Sequence, residues 1–472
     1  MEKEINTKKW KTIKNKERYG VIQQDSTKTV FKMSIPIFIE LLLQLLVGNV
    51  DQIMISQYSQ GSVAAIGNGN QIMNIIIIVL SVTSVASTIL ISQYLGAKNK
   101  RKIAETCNVS LFVISLFSLF AAILICIGHR AIFIWMKVPQ DILKEASSYL
   151  TIVGLFVIVQ GIYMTFAAIL RSFGFMKQVM YVSAIMNLIN IAGNAILING
   201  LFGMPQLGIV GAAISTDISK LIGLIIIYRL FRKNINITLS FKILKPFPTQ
   251  TLKNLLHIAV PSGGEELSYN LSQVYILKFI NLFGTAVIAT KVYCSMLANI
   301  AYVYSIALSQ ATQIMVSYLI GSGDLEKVKK RVWTTLGCSM FIALGLTAVL
   351  YFNAETIFGI FTDDPEVILL GKKILFIEFF LEIGRTANIV LTKCLVAVGD
   401  VLFPVTIGII FMWLIAVLVG YYFGVHLGMG LVGIWVAMTI DECMRGILFV
   451  IRFKSGRWKT KMEQTSQKAA VS

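Results

Sequence analysis

Charge is scarce in this chain, and the side chains that build catalytic or metal centres are scarcer still. Only 14% of its 472 residues are Asp, Glu, Lys or Arg, while 56% are apolar. A soluble globular chain carries about 25% charged residues. This one cannot clothe its surface in polar atoms, so most of that surface must meet lipid. The six cysteines, Cys107, Cys126, Cys294, Cys338, Cys394 and Cys443, lie in or beside apolar stretches without a CxxC or Cys/His cluster. They read as small buried hydrophobes, not as disulfides or thiolate ligands. The three histidines, His129, His257 and His426, stand far apart. A phosphate-cradling P-loop is missing, which excludes ATP hydrolysis as an energy source, and the isolated Gly67-Asn-Gly69 is too weak a signal for a nucleotide site. No catalytic cluster remains, so the chain is read as a non-enzyme without a cofactor. The first residues are also too polar for a signal peptide, which needs an apolar core within roughly its first 15–30 residues. The first apolar block is therefore expected to stay as a membrane helix.

What the chain does have is apolar length. A bilayer-spanning helix needs about 20 apolar residues, and the apolar runs here supply twelve candidates. They cover 30–56, 63–95, 103–127, 146–170, 178–200 and 208–230 in the first half, then 252–281, 286–320, 328–352, 367–396, 402–424 and 430–452 in the second. The expected organisation is a basic tail (1–29), a six-helix lobe (30–231), a linker (232–251), a second six-helix lobe (252–453) and a basic C-terminal tail (454–472).

A net charge of +18 invites a nucleic-acid reading, but the placement of the charge argues against it. Basic residues crowd into the N-terminal tail and into alternate connections, among them Lys98, Lys100, Arg101 and Lys102, then Lys327, Lys329, Lys330 and Arg331. That alternation is the positive-inside pattern. It puts both termini in the cytoplasm, in a cell membrane, with the tail beside anionic lipid. The partners implied are lipid and small molecules, not nucleic acid.

The two halves repeat each other. Met33-Ser-Ile-Pro36 with Glu40 recurs as Ile258-Ala-Val-Pro261 with Glu265, a shift of 225 residues (265 − 40). The same shift carries Ile91–Gly96 onto Val316–Gly321 and Gly174 onto Gly399, while Gly208-Ile-Val-Gly211 recurs slightly earlier, as Gly430-Leu-Val-Gly433. Six spans per repeat is an even number, so both halves enter the membrane in the same sense. Parallel repeats of this kind are a transporter arrangement.

Several motifs, in order along the chain, carry a resemblance. They are Pro36, Glu40 and Asn49-Val-Asp51-Gln-Ile-Met54; Ser92-Gln-Tyr-Leu-Gly96-Ala-Lys98; Arg171-Ser-Phe-Gly174; Leu207-Gly-Ile-Val-Gly211-Ala-Ala213; Glu382-Ile-Gly-Arg385-Thr-Ala-Asn388; and Gly399-Asp400-Val-Leu-Phe-Pro404. Over residues 30–455 the chain resembles the multidrug and toxic compound extrusion (MATE) family, in a bacterial branch. The resemblance implies an all-α membrane protein of twelve transmembrane helices in two pseudo-symmetric six-helix lobes around a central cleft. It further implies a monomeric antiporter that exports small amphipathic organic cations against inward H⁺ or Na⁺. The alternative weighed is a flippase for a lipid-linked saccharide on a related scaffold. That reading wants a cationic cavity, and the candidates here are mainly acidic.

Acidic residues inside spans are the most informative positions, because a carboxylate at a helix centre costs about 2.5–3.5 kcal/mol on insertion scales. Asp51 lies well within the first span and can exchange a proton or offer oxygens to Na⁺. It matches the family's first-helix acidic position, and its alternative role is a structural hydrogen-bond acceptor. Asn187, Asn190 and Asn194 form one stripe of the fifth span, either packing glue or the wall of a cation pocket. Glu40 and Glu265 each follow a proline by one helical turn. They either cap backbone freed by the proline or place carboxylates at a cation path. Glu265 is a second candidate Na⁺ ligand, and the adjacent Glu266 cannot share its face. Glu382 and Arg385, at i and i+3, form either a neutralised ion pair or a switch that gates substrate; Glu378 is an alternative partner. Asp217, Lys220, Asp441, Glu442 and Arg445 read as span-end or locally paired charges, and Asp400 as a turn cap.

Overall fold

The computed structural model describes residues 25–471, so most of the expected N-terminal tail lies outside the described residues. Eleven of the twelve apolar runs become one long helical segment each, and the 146–170 run becomes a bent pair of helices. The first six are α1 (Thr27–Tyr58), α2 (Gln60–Gly96), α3 (Lys100–Trp135), the pair α4 (Gln140–Leu155) and α5 (Val157–Ser172), α6 (Met176–Asn199) and α7 (Gly208–Asn234). The second six are α8 (Thr249–Ile280), α9 (Thr285–Gly321), α10 (Leu325–Phe352), α12 (Pro365–Ala397), α13 (Leu402–His426) and α14 (Gly430–Lys454), with a short α11 (Ala354–Gly359) between α10 and α12. The chain closes with α15 (Arg457–Val471).

Among the described residues, eight of these helices are long and apolar enough to cross a membrane, and α4 with α5, bent by 44°, makes a ninth span. The three that fall short are α8, α12 and α14. Each carries charge near its middle: Glu265 and Glu266; Glu378, Glu382 and Arg385; Asp441, Glu442 and Arg445. Their low apolarity is a consequence of the polar residues they bring into the bundle.

Packing divides the described chain into two compact units. One comprises Ile39–Leu95 and Asn99–Ala259; the other comprises Asp25–Phe38, Gly96–Lys98 and the chain from Val260 onward. The sequence places the division in the linker 232–251, whereas packing divides the chain within α8. The reason is local. Thr251 and Leu255 are buried, and the Thr251 hydroxyl donates to Glu105 of α3, which holds the first turns of α8 to the first unit. The start of α1 packs with the second unit, where Arg331 Nε donates to Asp25 Oδ1 at 2.6 Å and Phe38 sets its ring edge against Tyr304. Leu80, Ile125, Phe133 and Leu150 centre the first core, and Ile276, Phe358, Ile374 and Trp435 the second.

The repeat is written into the backbone as well as the sequence. Gly174 and Gly399 turn with φ of 85° and 88°, and Gly208 and Gly430 with 54° and 59°. These are left-handed conformations that glycine adopts at little cost. Asn99 and Asp324, again 225 apart (324 − 99), each accept a hydrogen bond from the backbone three residues on, and so cap α3 and α10.

In the second unit α12 and α14 lie close enough for backbones to meet. A methyl group on Gly384 would press on the backbone of Glu442 and Cys443, and Gly446 faces the Gly384 carbonyl. Small residues at such crossings let membrane helices approach. Gly384→Ala is therefore expected to lower stability by about 1–3 kcal/mol, the usual cost of overpacking, read as a lower Tm in detergent. An unchanged Tm would mean that the crossing has slack. Beyond α14, the segment read from sequence as a tail is helical, with Trp458 buried and stacked on Phe453 at 4.8 Å.

Candidate functional site

The charged and amide residues singled out in the sequence fall into three groups. In the first unit, Asp51 sits half-buried on α1, and Asn194 of α6 donates Nδ2 to its Oδ1 at 2.7 Å. With the Asn190 amide turned so that its nitrogen faces Asp51, that nitrogen lies 3.1 and 3.3 Å from the two carboxylate oxygens, and its oxygen accepts from Thr216 of α7 at 3.2 Å. Residues four apart on a helix share a face, so α6 presents both amides to one carboxylate. Asn194 Oδ1 is buried without a hydrogen-bond partner among the described residues, which leaves an oxygen free beside Asp51.

Asp51 opens onto a cavity of about 460 Å³ within this unit, lined among others by Gln44, Gln52, Asn70, Tyr149 and Thr216. Among the described residues no basic side chain lines it. The Tyr149 hydroxyl donates to Asn70 Oδ1 at 3.0 Å and is itself buried, so the cavity wall is braced across α2 and α4. The arrangement is a carboxylate with amide donors and a spare amide oxygen at the edge of that cavity. It can hold a proton or a small cation.

Glu40 is not brought to Asp51. It is buried and bound to Arg171 of α5 at 2.6 Å. Its repeat counterpart Glu265 lacks that partner because the position equivalent to Arg171 is Val396 (171 + 225). Glu265 instead lies against α13, where Gly408 makes room: a Cβ there would come within 2.9 Å of Glu265 Oε1. Glu265 is half-buried and Glu266 exposed, as their adjacent positions on one helix require. The third group lies on α12 and α14. Arg385 pairs with Glu382 and also with Glu378, while Arg445 pairs with Asp441 at 2.6 Å and Glu442 at 2.9 Å.

Three acidic positions that the sequence reads as span-end or locally paired charges lie inside helices, Asp217 and Asp441 buried and Glu442 half-buried. Asp441 and Glu442 sit inside α14 and are paired. Asp217 of α7 is 2% exposed, with both oxygens unpartnered among the described residues. The signal was present, since Asp217 and Asp441 stand well inside the 208–230 and 430–452 runs. The insertion cost that singles out Asp51 falls on them equally.

Comparison with known proteins starts from the same duplication. The MatE family model matches residues 36–196 and again 261–422, once in each half and with the starts 225 residues apart (261 − 36). The chain belongs to the MatE family. MatE proteins are membrane transporters, and the twelve-helix reading is that of the family. An uncharacterized transporter, YisQ of Bacillus subtilis, is 37% identical over 93% of this chain and 96% of its own length. A probable multidrug resistance protein, NorM of Thermotoga maritima, is 25% identical over 93% of this chain and 95% of its own. A MATE transporter solved in its bent conformation superposes with a TM-score of 0.86 at 19% identity, over 94% of this chain and 98% of that one, which shows the MatE fold.

Proposed function

We propose that the chain is a cation-coupled antiporter of the cell membrane. It exports small amphipathic, cationic organic compounds by alternating access, with Asp51 carrying the coupling H⁺ or Na⁺ and both termini in the cytoplasm. The observation that carries this reading is the Asp51 carboxylate, inside a span, at the edge of a cavity that no basic side chain among the described residues lines. Such a site attracts positive charge. It offers nothing to the diphosphate of a lipid-linked saccharide, which disfavours the flippase reading. The names of relatives such as the Thermotoga and Bacillus NorM proteins, probable multidrug resistance proteins, support drug export.

The chemistry follows from the partners. Without a cation, Asn190 and Asn194 direct donor nitrogens at an ionised carboxylate. A proton on Asp51 removes the charge those donors serve, and a bound Na⁺ turns amide oxygens inward, beginning with the unpartnered Asn194 Oδ1. Either event alters how α1, α6 and α7 are held together. A cation shifts the balance between two packings only by its difference in affinity for them, and an organic cation that competes for the same negative field is released.

The test is efflux of a cationic dye from proteoliposomes under separately imposed proton and sodium gradients. Efflux is expected to accelerate with one inward gradient and to stop when it collapses. A rate indifferent to both gradients would overturn the reading.

A further inference from the structure

The coupling reading uses one carboxylate of the first unit and leaves a larger acidic system in the second unused. On α12, Arg385 Nη1 meets Glu378 Oε1 at 2.5 Å and also bonds Glu382 Oε1, one turn along the same face. On α14, Arg445 Nη2 meets Asp441 Oδ2 at 2.6 Å and Glu442 Oε1 at 2.9 Å. The two constellations have one design, a single guanidinium between two carboxylates. They are also joined, because Asn388 of α12 donates to Glu442 Oε2 of α14 at 2.7 Å. The Trp435 indole N–H of α14 donates to Glu378 Oε2 at 2.7 Å, and the Arg385 guanidinium lies 4.8 Å from the ring centroid of Tyr302 on α9.

With every group ionised, each triad carries one negative charge in excess. A buried charge without a partner is strongly destabilising, and the oxygens on which the excess would sit are identifiable. Glu382 Oε2 and Asp441 Oδ1 are buried and lack a hydrogen-bond partner among the described residues. Their residues are 0% and 3% exposed. The other groups that act electrostatically on the triads are Glu265 and Tyr269 from α8, Cys294 and Tyr302 from α9 and Cys443 from α14. Lys393 of α12 acts on Glu265, and among the described residues it forms no ion pair with either triad.

We infer that the α12–α14 triads are a second ion-exchange site, which stores one proton on Glu382 and one on Asp441. The ligand is a proton, not a metal ion. Hard cations gather several oxygens, whereas most of the carboxylate oxygens here already accept from guanidinium, indole or amide donors. Among the described residues no group of three His, Cys, Asp or Glu side chains could hold a metal. Arg445 bonds both carboxylates of its triad, and Glu442 bonds Asn388, so loss or gain of a proton on Asp441 redistributes the hydrogen bonds that tie α14 to α12. The site deepens the antiport reading by adding protons in the second unit, and it does not depend on Asp51.

The test is infrared difference spectroscopy of the full-length protein in liposomes, between acid and alkaline pH, following the C=O stretch of protonated carboxyl groups. Glu382→Gln and Asp441→Asn should each remove a share of that band, and the double variant the sum of the two. Asp51→Asn should retain both shares. If either amide variant fails to fold, Glu382→Asp and Asp441→Glu take its place, and each should move a component of the band without loss of intensity. A band that Asp51→Asn diminishes, and that none of the α12 or α14 variants alters, would overturn this inference and leave the Asp51 reading standing. Altered α12 or α14 components in a protein whose efflux ignores both gradients would do the reverse.

Discussion

Asp51→Asn should abolish gradient-coupled efflux while leaving the protein folded. Asparagine keeps the size and planarity of the side chain and still accepts a hydrogen bond from Asn194, so the contacts among α1, α6 and α7 survive. What it loses is the negative charge, and with it the capacity to bind a proton or to neutralise Na⁺. Coupling free energies between sites are typically about 1–3 kcal/mol, corresponding to roughly 5–150-fold. Loss of the only carboxylate that lines the cavity among the described residues should therefore reduce gradient-driven efflux by roughly tenfold or more. The comparison is initial dye efflux from proteoliposomes holding equal amounts of monodisperse protein. Wild-type rates in the variant would count against a coupling role and return Asp51 to a bracing one.

The largest loss of stability is expected at Arg385. Its guanidinium is the shared partner of Glu378 and Glu382, two carboxylates that would otherwise face each other inside the bundle. Removing one member of a buried ionic cluster typically costs about 3–5 kcal/mol, because uncompensated charge is left behind. Arg385→Met should therefore lower the Tm markedly in detergent. The same principle supplies a control. Replacing a whole buried ionic cluster with neutral groups of similar size is often close to neutral. Arg385→Met combined with Glu378→Gln and Glu382→Gln should therefore recover much of the loss. If the single variant melted at the wild-type temperature, the triad would be a peripheral contact, contrary to its burial. If the triple variant were no better than the single, packing of the Arg385 stem would be the dominant effect, not charge.

Much of the fold was legible in the sequence for simple reasons. Lipid demands apolar length, so each apolar run from 30–56 to 430–452 marks a helical segment. Duplication preserves backbone conformation, so the matched Gly174 and Gly399 turn alike. The candidate site was legible in part. Helical spacing placed Asn190 and Asn194 on one stripe, and the structure sets that stripe against Asp51. The arithmetic of the repeat also shows, once the structure pairs Glu40 with Arg171, why Glu265 lacks the same partner. Helix spacing cannot reveal which neighbouring helix a side chain meets. For that reason Glu40 could be weighed beside Asp51 as a coupling residue, although it is committed to Arg171. Asp217 reads as locally paired because Lys220 stands one turn along the same helix, yet among the described residues the two form no ion pair and both Asp217 oxygens lack a partner.

The sequence by itself determined the class of the molecule, its span count and its internal symmetry, because these depend on composition and on periods along one chain. It also named Asp51, because a carboxylate inside an apolar run is costly wherever that run folds. Only the tertiary structure decided which charges are paired, which oxygens are left over and where a cavity lies. Those outcomes depend on contacts between helices far apart in the chain, such as α1 with α6 or α12 with α14. The spacing of residues along a single helix does not encode them.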